Sequence, residues 1–150
     1  MGYILDLRQI VGSRPLIMAG ACMIVVNKQN EILLQLREDN GLWGLLGGSL
    51  EPGESMEEVA RRELFEETGL HAGNITLFNV FSGKELYYQY PHGDEVYNVV
   101  AAYICHEYKI SPPDKPIIDN YLKMFGESSL RKKSMMEQCW LTPLIQVKSN

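Results

Sequence analysis

One stretch constrains this chain more than any other: GSLEPGESMEEVARRELFEETGL, residues 48–70. It carries Glu51, Glu54, Glu57, Glu58, Glu63, Glu66 and Glu67. Ser55 with Glu58 three residues on is a capping box, in which each side chain satisfies the other's free backbone N–H. Gly69 suits the left-handed residue that follows many helices. These signals predict a helix between them. On it, Glu63, Glu66 and Glu67 are spaced i, i+3, i+4 and point off one face. Val59, Ala60 and Leu64 supply the inward face.

Such a face is costly without a partner. Carboxylates three and four apart repel by a few tenths of a kcal/mol or so per pair. Glu66 and Glu67 also fall in the last turn, where the helix dipole favours cations. Two readings are open from the helix alone. One is a solvated acidic face, the usual fate of a charge run. The other is a site for a hard divalent cation such as Mg²⁺, which takes oxygen ligands from carboxylates and substrate phosphates.

Length and charge narrow the class. The 150 residues predict one domain, able to bury about two thirds of its unfolded surface without staples. The net charge of −5 argues against non-specific nucleic-acid or acidic-membrane binding. Cys22, Cys105 and Cys139 are odd in number and far apart, with no CxxC pair, and read as reduced thiols of a cytoplasmic protein. No apolar run reaches the roughly 18 residues of a membrane span, and the start, MGYILDLRQ, lacks the apolar core of a signal peptide.

Before the glutamate stretch, Tyr3 to Val11 reads as an amphipathic helix with Ile4, Leu7 and Val11 on one stripe and Gly12 as its stop. Leu16 to Asn27 and Glu31 to Arg37 read as strands joined by the turn Lys28-Gln29-Asn30, a hairpin. Glu38 to Gly44 is turn-rich, with Trp43 as an aromatic anchor, and Leu45 to Gly48 reads as loop. After it, strands are expected at Asn74–Ser82, Lys84–Tyr90 and Glu95–Cys105, the last one central, with a turn at Pro91–Asp94. Tyr87, Tyr88 and Tyr90 could stack a base, but packing across strands is the commoner use of such residues. Ser111 to Pro116 reads as a rigid connector, Ile117–Phe125 and Ser128–Gln138 as helices, and Trp140–Val147 as an apolar run broken by Pro143.

The fixed positions of the central stretch follow the pattern G-x5-E-x7-R-E-U-x-E-E-x-G-U, with U aliphatic: Gly48, Glu54, Arg62, Glu63, Leu64, Glu66, Glu67, Gly69 and Leu70. The chain resembles the Nudix hydrolases, MutT-like proteins, through this signature box at 48–70 and through the order strand, turn, strand, W-G-L-x-G-G, box, further strands. The resemblance covers roughly residues 1–108 and, more loosely, 112–122. It implies an α+β fold, an α/β/α sandwich with a mixed β-sheet between helices. It also implies metal-dependent hydrolysis of a pyrophosphate bond in a nucleoside diphosphate linked to another group, with Mg²⁺ or Mn²⁺. By position, Glu66 and Glu67 would ligate the metal, with the Gly47 carbonyl as a further ligand. Glu63 would be a ligand or the base that activates water. Arg62 would hold the glutamates, and Glu54 would support them from the helix entrance. Arg37, Gly48 and Tyr88 would contact a nucleotide-type substrate. His71, His92 and His106 are weaker rivals as base.

Two departures stand out. Leu46 replaces the family's usual Pro, which loosens the loop carrying Gly47. The chain also runs from Tyr108-Lys109 almost straight into Ser111-Pro112-Pro113, where the family has a further strand region and often an acidic ligand. Residues 109–150 therefore read as an atypical, shortened C-terminal part, and Asp94, Glu95 and Glu107 are candidate replacement ligands. The shortening is expected to leave apolar sheet surface that the tail or a second subunit, as a homodimer, would cover. The alternative to an enzyme is a nucleotide-binding or regulatory module with this fold and little turnover.

Overall fold

The computed structural model describes residues 2–37, 41–110 and the backbone of 138–141. Helix α1 is Tyr3–Val11, and the paired strands β1 (Leu16–Val25) and β8 (Glu95–Cys105) form the middle of the main sheet. These two run parallel in register from Leu16↔Val96 to Val25↔Cys105. Their near-continuous apolar sequences are what a parallel pair buried on both faces requires. Strand β4 (Leu46–Ser49) adds antiparallel to β1, and β6 (Ile75–Phe81) and β7 (Tyr87–Gln89) add antiparallel to β8. The sheet is thus mixed, in the order β4-β1-β8-β6. A second sheet joins β2 (Ile32–Leu36) to β3 (Trp43–Gly44) and β10 (Gln138–Leu141), and β5 (Leu70–Ala72) pairs with β9 (Tyr108–Ile110).

Helix α2 (Met56–Thr68) packs on β1, β4 and β5. Its Val59, Ala60 and Leu64 are fully buried against Ala21, Met23, Val25, Leu46, Ala101 and Tyr103. Alternate residues of β1 (Ala21, Met23, Val25) and β8 (Ala101, Tyr103, Cys105) meet the inward stripe of α2, so one core cluster fixes the helix over the sheet. Helix α1 half-buries Ile4, Leu7 and Val11, as its stripe predicts. Arg8 ties it to the start of β8 through the Glu95 carbonyl at 2.8 Å and Asp94 at 3.2 Å. Among the described residues no helix is long and apolar enough to cross a membrane. Cys22 and Cys105 are free, and burial pushes both thiols up, away from reactive thiolate.

Several expectations are corrected. The Lys28–Asn30 turn forms, but β1 and β2 are not a hairpin: a single Val26↔Ile32 bridge joins them before they enter different sheets. Both edges of β1 are already taken, by β4 and β8, so β2 has none to pair with. Leu45–Gly48 is not a loop. Leu46 is fully buried in β4, opposite Met23, so the missing Pro loosens no loop. A side chain on Gly47 would run into the Ala21 carbonyl and lie 2.7 Å from the Cys22 Cα; glycine here allows β4 its close approach to β1. Lys84–Tyr90 divides into a 3₁₀ turn, Lys84–Leu86, and the short β7, because Gly83 turns the chain at φ 106°. Trp43 is 46% exposed and anchors no core. Strand β9 follows the central strand where no further strand was expected before the connector, and Gln138 begins a strand where a helix was expected to end. The proposed connector, the helix at 117–125 and most of the tail lie outside the described residues. Apolar surface does remain on β6, where Leu77, Phe78, Val80 and Phe81 are all exposed.

Candidate functional site

The capping box forms as the sequence requires. The Glu58 N–H reaches Ser55 Oγ at 3.3 Å, and Glu58 accepts from the Ser55 N–H at 2.7 Å. Gly69 closes the helix in the left-handed region at φ 72°. Between these stops the acidic face of α2 sits above β4, and Arg62 organises it. Its Nε and Nη2 grip both oxygens of Glu54 at 2.7 and 3.0 Å. Its Nη1 donates to Glu63 at 2.7 Å and Glu66 at 3.2 Å, and Nη2 also donates to the Ser49 carbonyl at 3.2 Å. These five bonds match the five N–H groups of a guanidinium. The forked geometry is one that only arginine supplies. Hydrogen bonding to Glu54, and then to Glu63, drives the Arg62 pKa further up, and Arg62 holds the Glu54 carboxyl below the usual carboxylate range.

Glu67 is held separately. Its Oε1 accepts from Gln35 Nε2 at 2.6 Å and its Oε2 from the Gly47 N–H at 3.0 Å. Burial pushes its carboxyl up, those two donors and the charge of Arg37 pull it down, and the charge of Glu63 pushes it up again. Glu63, with only 16% of its side chain exposed, lies against the Gly48 backbone, in the space a side chain there would fill. Glu63 and Glu67 thus stand on adjacent residues of β4, while Glu66 is 56% exposed.

Of the residues singled out by sequence, the fold brings Glu54, Arg62, Glu63 and Glu66 into one hydrogen-bonded group. It sets Glu67 beside Gly47, and puts Arg37 close enough to act on Glu67. Tyr88 is not brought there. It pairs with Val96, whose partner on β1 is Leu16, six residues or roughly 20 Å along the strand from Cys22, which faces Gly47. It packs edge-on against Tyr90 at 4.9 Å, and Tyr87 packs across the strands on Tyr97 at 5.2 Å. The candidate replacement ligands are also occupied elsewhere: Asp94 with Arg8 and His92, Glu95 with the Tyr87 hydroxyl, Glu107 with Asn74. His71 stacks on Phe65 at 4.6 Å. Two contacts escaped the sequence reading. Gln35 could have been found two positions before Arg37, on the same strand face. Glu51 accepts from the Tyr3 N–H at 3.1 Å and so ties α1 to the helix entrance; no local signal marks it.

Among the described residues, no three His, Cys, Asp or Glu side chains stand ready as a closed metal cage. The donor chemistry nevertheless fits a hard cation. All the side-chain candidates are carboxylate oxygens, two converge on one backbone stretch, and Gly48 leaves room for Glu63 to stand over it.

The family model described as NUDIX domain matches residues 16–138. A Bacillus subtilis protein assigned as an 8-oxo-dGTP diphosphatase is 55% identical over 62 residues, 41% of this chain and 42% of that protein. The NAD-capped RNA hydrolase NudC of Vibrio parahaemolyticus is 47% identical over 60 residues, 38% of this chain and 23% of that protein. The matched stretch is thus less than half of each of these curated relatives. Among solved structures, a mutator MutT protein from Bacillus halodurans shares the fold at TM-score 0.55 and 22% identity, covering 83% of this chain and 68% of that one. The MutT NUDIX hydrolase of Burkholderia pseudomallei follows at TM-score 0.52 and 26% identity, covering 63% of this chain and 70% of that one.

Proposed function

The chain belongs to the Nudix family, and from that membership we propose that it hydrolyses a pyrophosphate bond in a nucleoside diphosphate linked to another group. Glu63, Glu66 and Glu67 would hold Mg²⁺ or Mn²⁺, with the Gly47 carbonyl as a further ligand. The observation that carries the proposal is the gathering of four carboxylates, Glu63, Glu66 and Glu67 on one face of α2 and Glu54 just before it, three on Arg62 and one on Gln35 and Gly47. The names of the curated relatives, one for an oxidised dGTP and one for NAD-capped RNA, support a nucleotide substrate. The free thiols at Cys22 and Cys105 support a cytoplasmic setting.

When bound, the divalent ion would offset the repulsion between an anionic pocket and an anionic phosphate chain and draw charge from phosphorus. The chain's own residues do the rest. Arg62 holds Glu54, Glu63 and Glu66 in place through its hydrogen bonds. Glu63, engaged by Arg62 through Oε1, stands either as a further ligand or as the carboxylate that takes a proton from water. Arg37, exposed just past β2, offers its guanidinium to a substrate phosphate. Gly48 keeps β4 open beneath Glu63.

The direct test is phosphate release from a panel of nucleoside di- and triphosphates, ADP-ribose and diadenosine polyphosphates, at about 5 mM Mg²⁺, a level that fills weak, partly hydrated sites. Turnover abolished by a chelator is expected. Nucleotide binding without release would identify the binding module instead. A glycine pair sharpens the assignment. Gly48→Ala should lower turnover about 100-fold by displacing Glu63 while the melting temperature barely moves, because a flexible side chain can yield. Gly47→Ala should lower stability by about 1–3 kcal/mol, because its new methyl meets backbone that has no room to yield.

A further inference from the structure

We propose that Gln35 is a positioning residue for the Glu67 carboxylate, holding it with a neutral donor so that its charge stays available to a cation. This rests on the reading of Glu67 as a metal ligand. Gln35 lies on β2, the middle strand of its sheet, opposite Gly44 on one side and Gln138 on the other, so its backbone is fixed from both flanks. Its amide faces Glu67 Oε1 at 2.6 Å, and an ionised carboxylate only accepts, which orients the amide with nitrogen toward Glu67. The Gly47 N–H holds Oε2 from β4 at 3.0 Å. Two strands of different sheets therefore clamp one carboxylate from both ends.

The neutrality of the donor matters. Arg37, two residues on and just past the end of β2, already brings one positive charge to bear on Glu67. A second cation at position 35 would neutralise the carboxylate and compete with a divalent ion. A neutral amide fixes the rotamer and adds no charge.

The test is calorimetric titration of Mn²⁺ into the full chain and into Gln35→Leu and Gln35→Lys, with melting temperatures recorded alongside. Gln35→Leu should weaken Mn²⁺ binding about 10- to 100-fold, the usual effect of losing the partner behind a ligand. Gln35→Lys restores a donor but adds charge, and should bind at least as weakly while melting no lower than Gln35→Leu. A merely structural role would let the lysine recover Mn²⁺ binding. Leucine within about twofold of the unmodified chain, or lysine equal to it, would overturn the assignment of Gln35 alone. No Mn²⁺ uptake by the unmodified chain would overturn both this assignment and the reading of Glu67 as a ligand.

Discussion

Glu67→Gln should lower turnover on the order of 10³-fold, the effect of removing about 4 kcal/mol of transition-state stabilisation. The fold should survive. Two effects on stability oppose each other. Burial disfavours the charged Glu67, and the amide has no charge to bury. Against that, the new NH₂ group faces either the Gly47 N–H, which cannot accept, or Gln35, whose amide must turn to offer its oxygen. The net change should stay within about 1 kcal/mol, near the worth of a single hydrogen bond. Turnover on the best substrate of the panel, with a thermal melt on the same sample, checks both halves. Undiminished turnover would remove Glu67 from the metal site.

Arg62→Met should be the most damaging single change to both stability and activity. It removes five donors at once and leaves Glu54, Glu63 and Glu66 facing one another. The side chains are partly exposed, so solvent screens part of the loss. A cost of about 2–3 kcal/mol is expected, which lowers the melting temperature by roughly 5–10 °C in a chain of this size. Arg62→Lys should recover only part, since an ammonium is one point charge and lacks the fork. The deficit should depend on pH in a stated direction. Arg62 holds the Glu54 carboxyl below its ordinary value, so this contribution is present above the ordinary carboxylate pKa and fades as the pH falls through the depressed one. Melts of the unmodified and Arg62→Met chains should therefore converge in acid. A gap that persists at low pH would mean that packing, and not charge, is what Arg62 supplies.

Legibility in the sequence followed the distance over which each feature is made. The capping box, the Gly69 stop and the shared face of Glu63, Glu66 and Glu67 depend on residues within a turn or two of each other, and all are present. So is the turn at Pro91–Asp94, and β8 runs over the expected residues. The site's second half was harder to read. Gln35 and Glu67 are 32 residues apart, and nothing in a glutamine on a strand announces its partner. Tyr88 was placed by resemblance to a family position, but register carried it to the far end of the sheet. The hairpin reading failed at Lys28–Asn30 for a related reason. A turn dictates that the chain reverses; it does not dictate that the two strands go on to pair.

By itself, then, the sequence determined the helix, its acidic face and the arginine within that face, because helical geometry puts i, i+3 and i+4 together whatever surrounds it. Only the tertiary structure decided which strands share a sheet, why two glycines must lie in β4, and that Glu67 is clamped from two directions. Those outcomes depend on which edges of β1 are already occupied and on backbones meeting across more than 20 residues. No local pattern encodes such meetings, because they are set by the packing of α2 against a completed sheet.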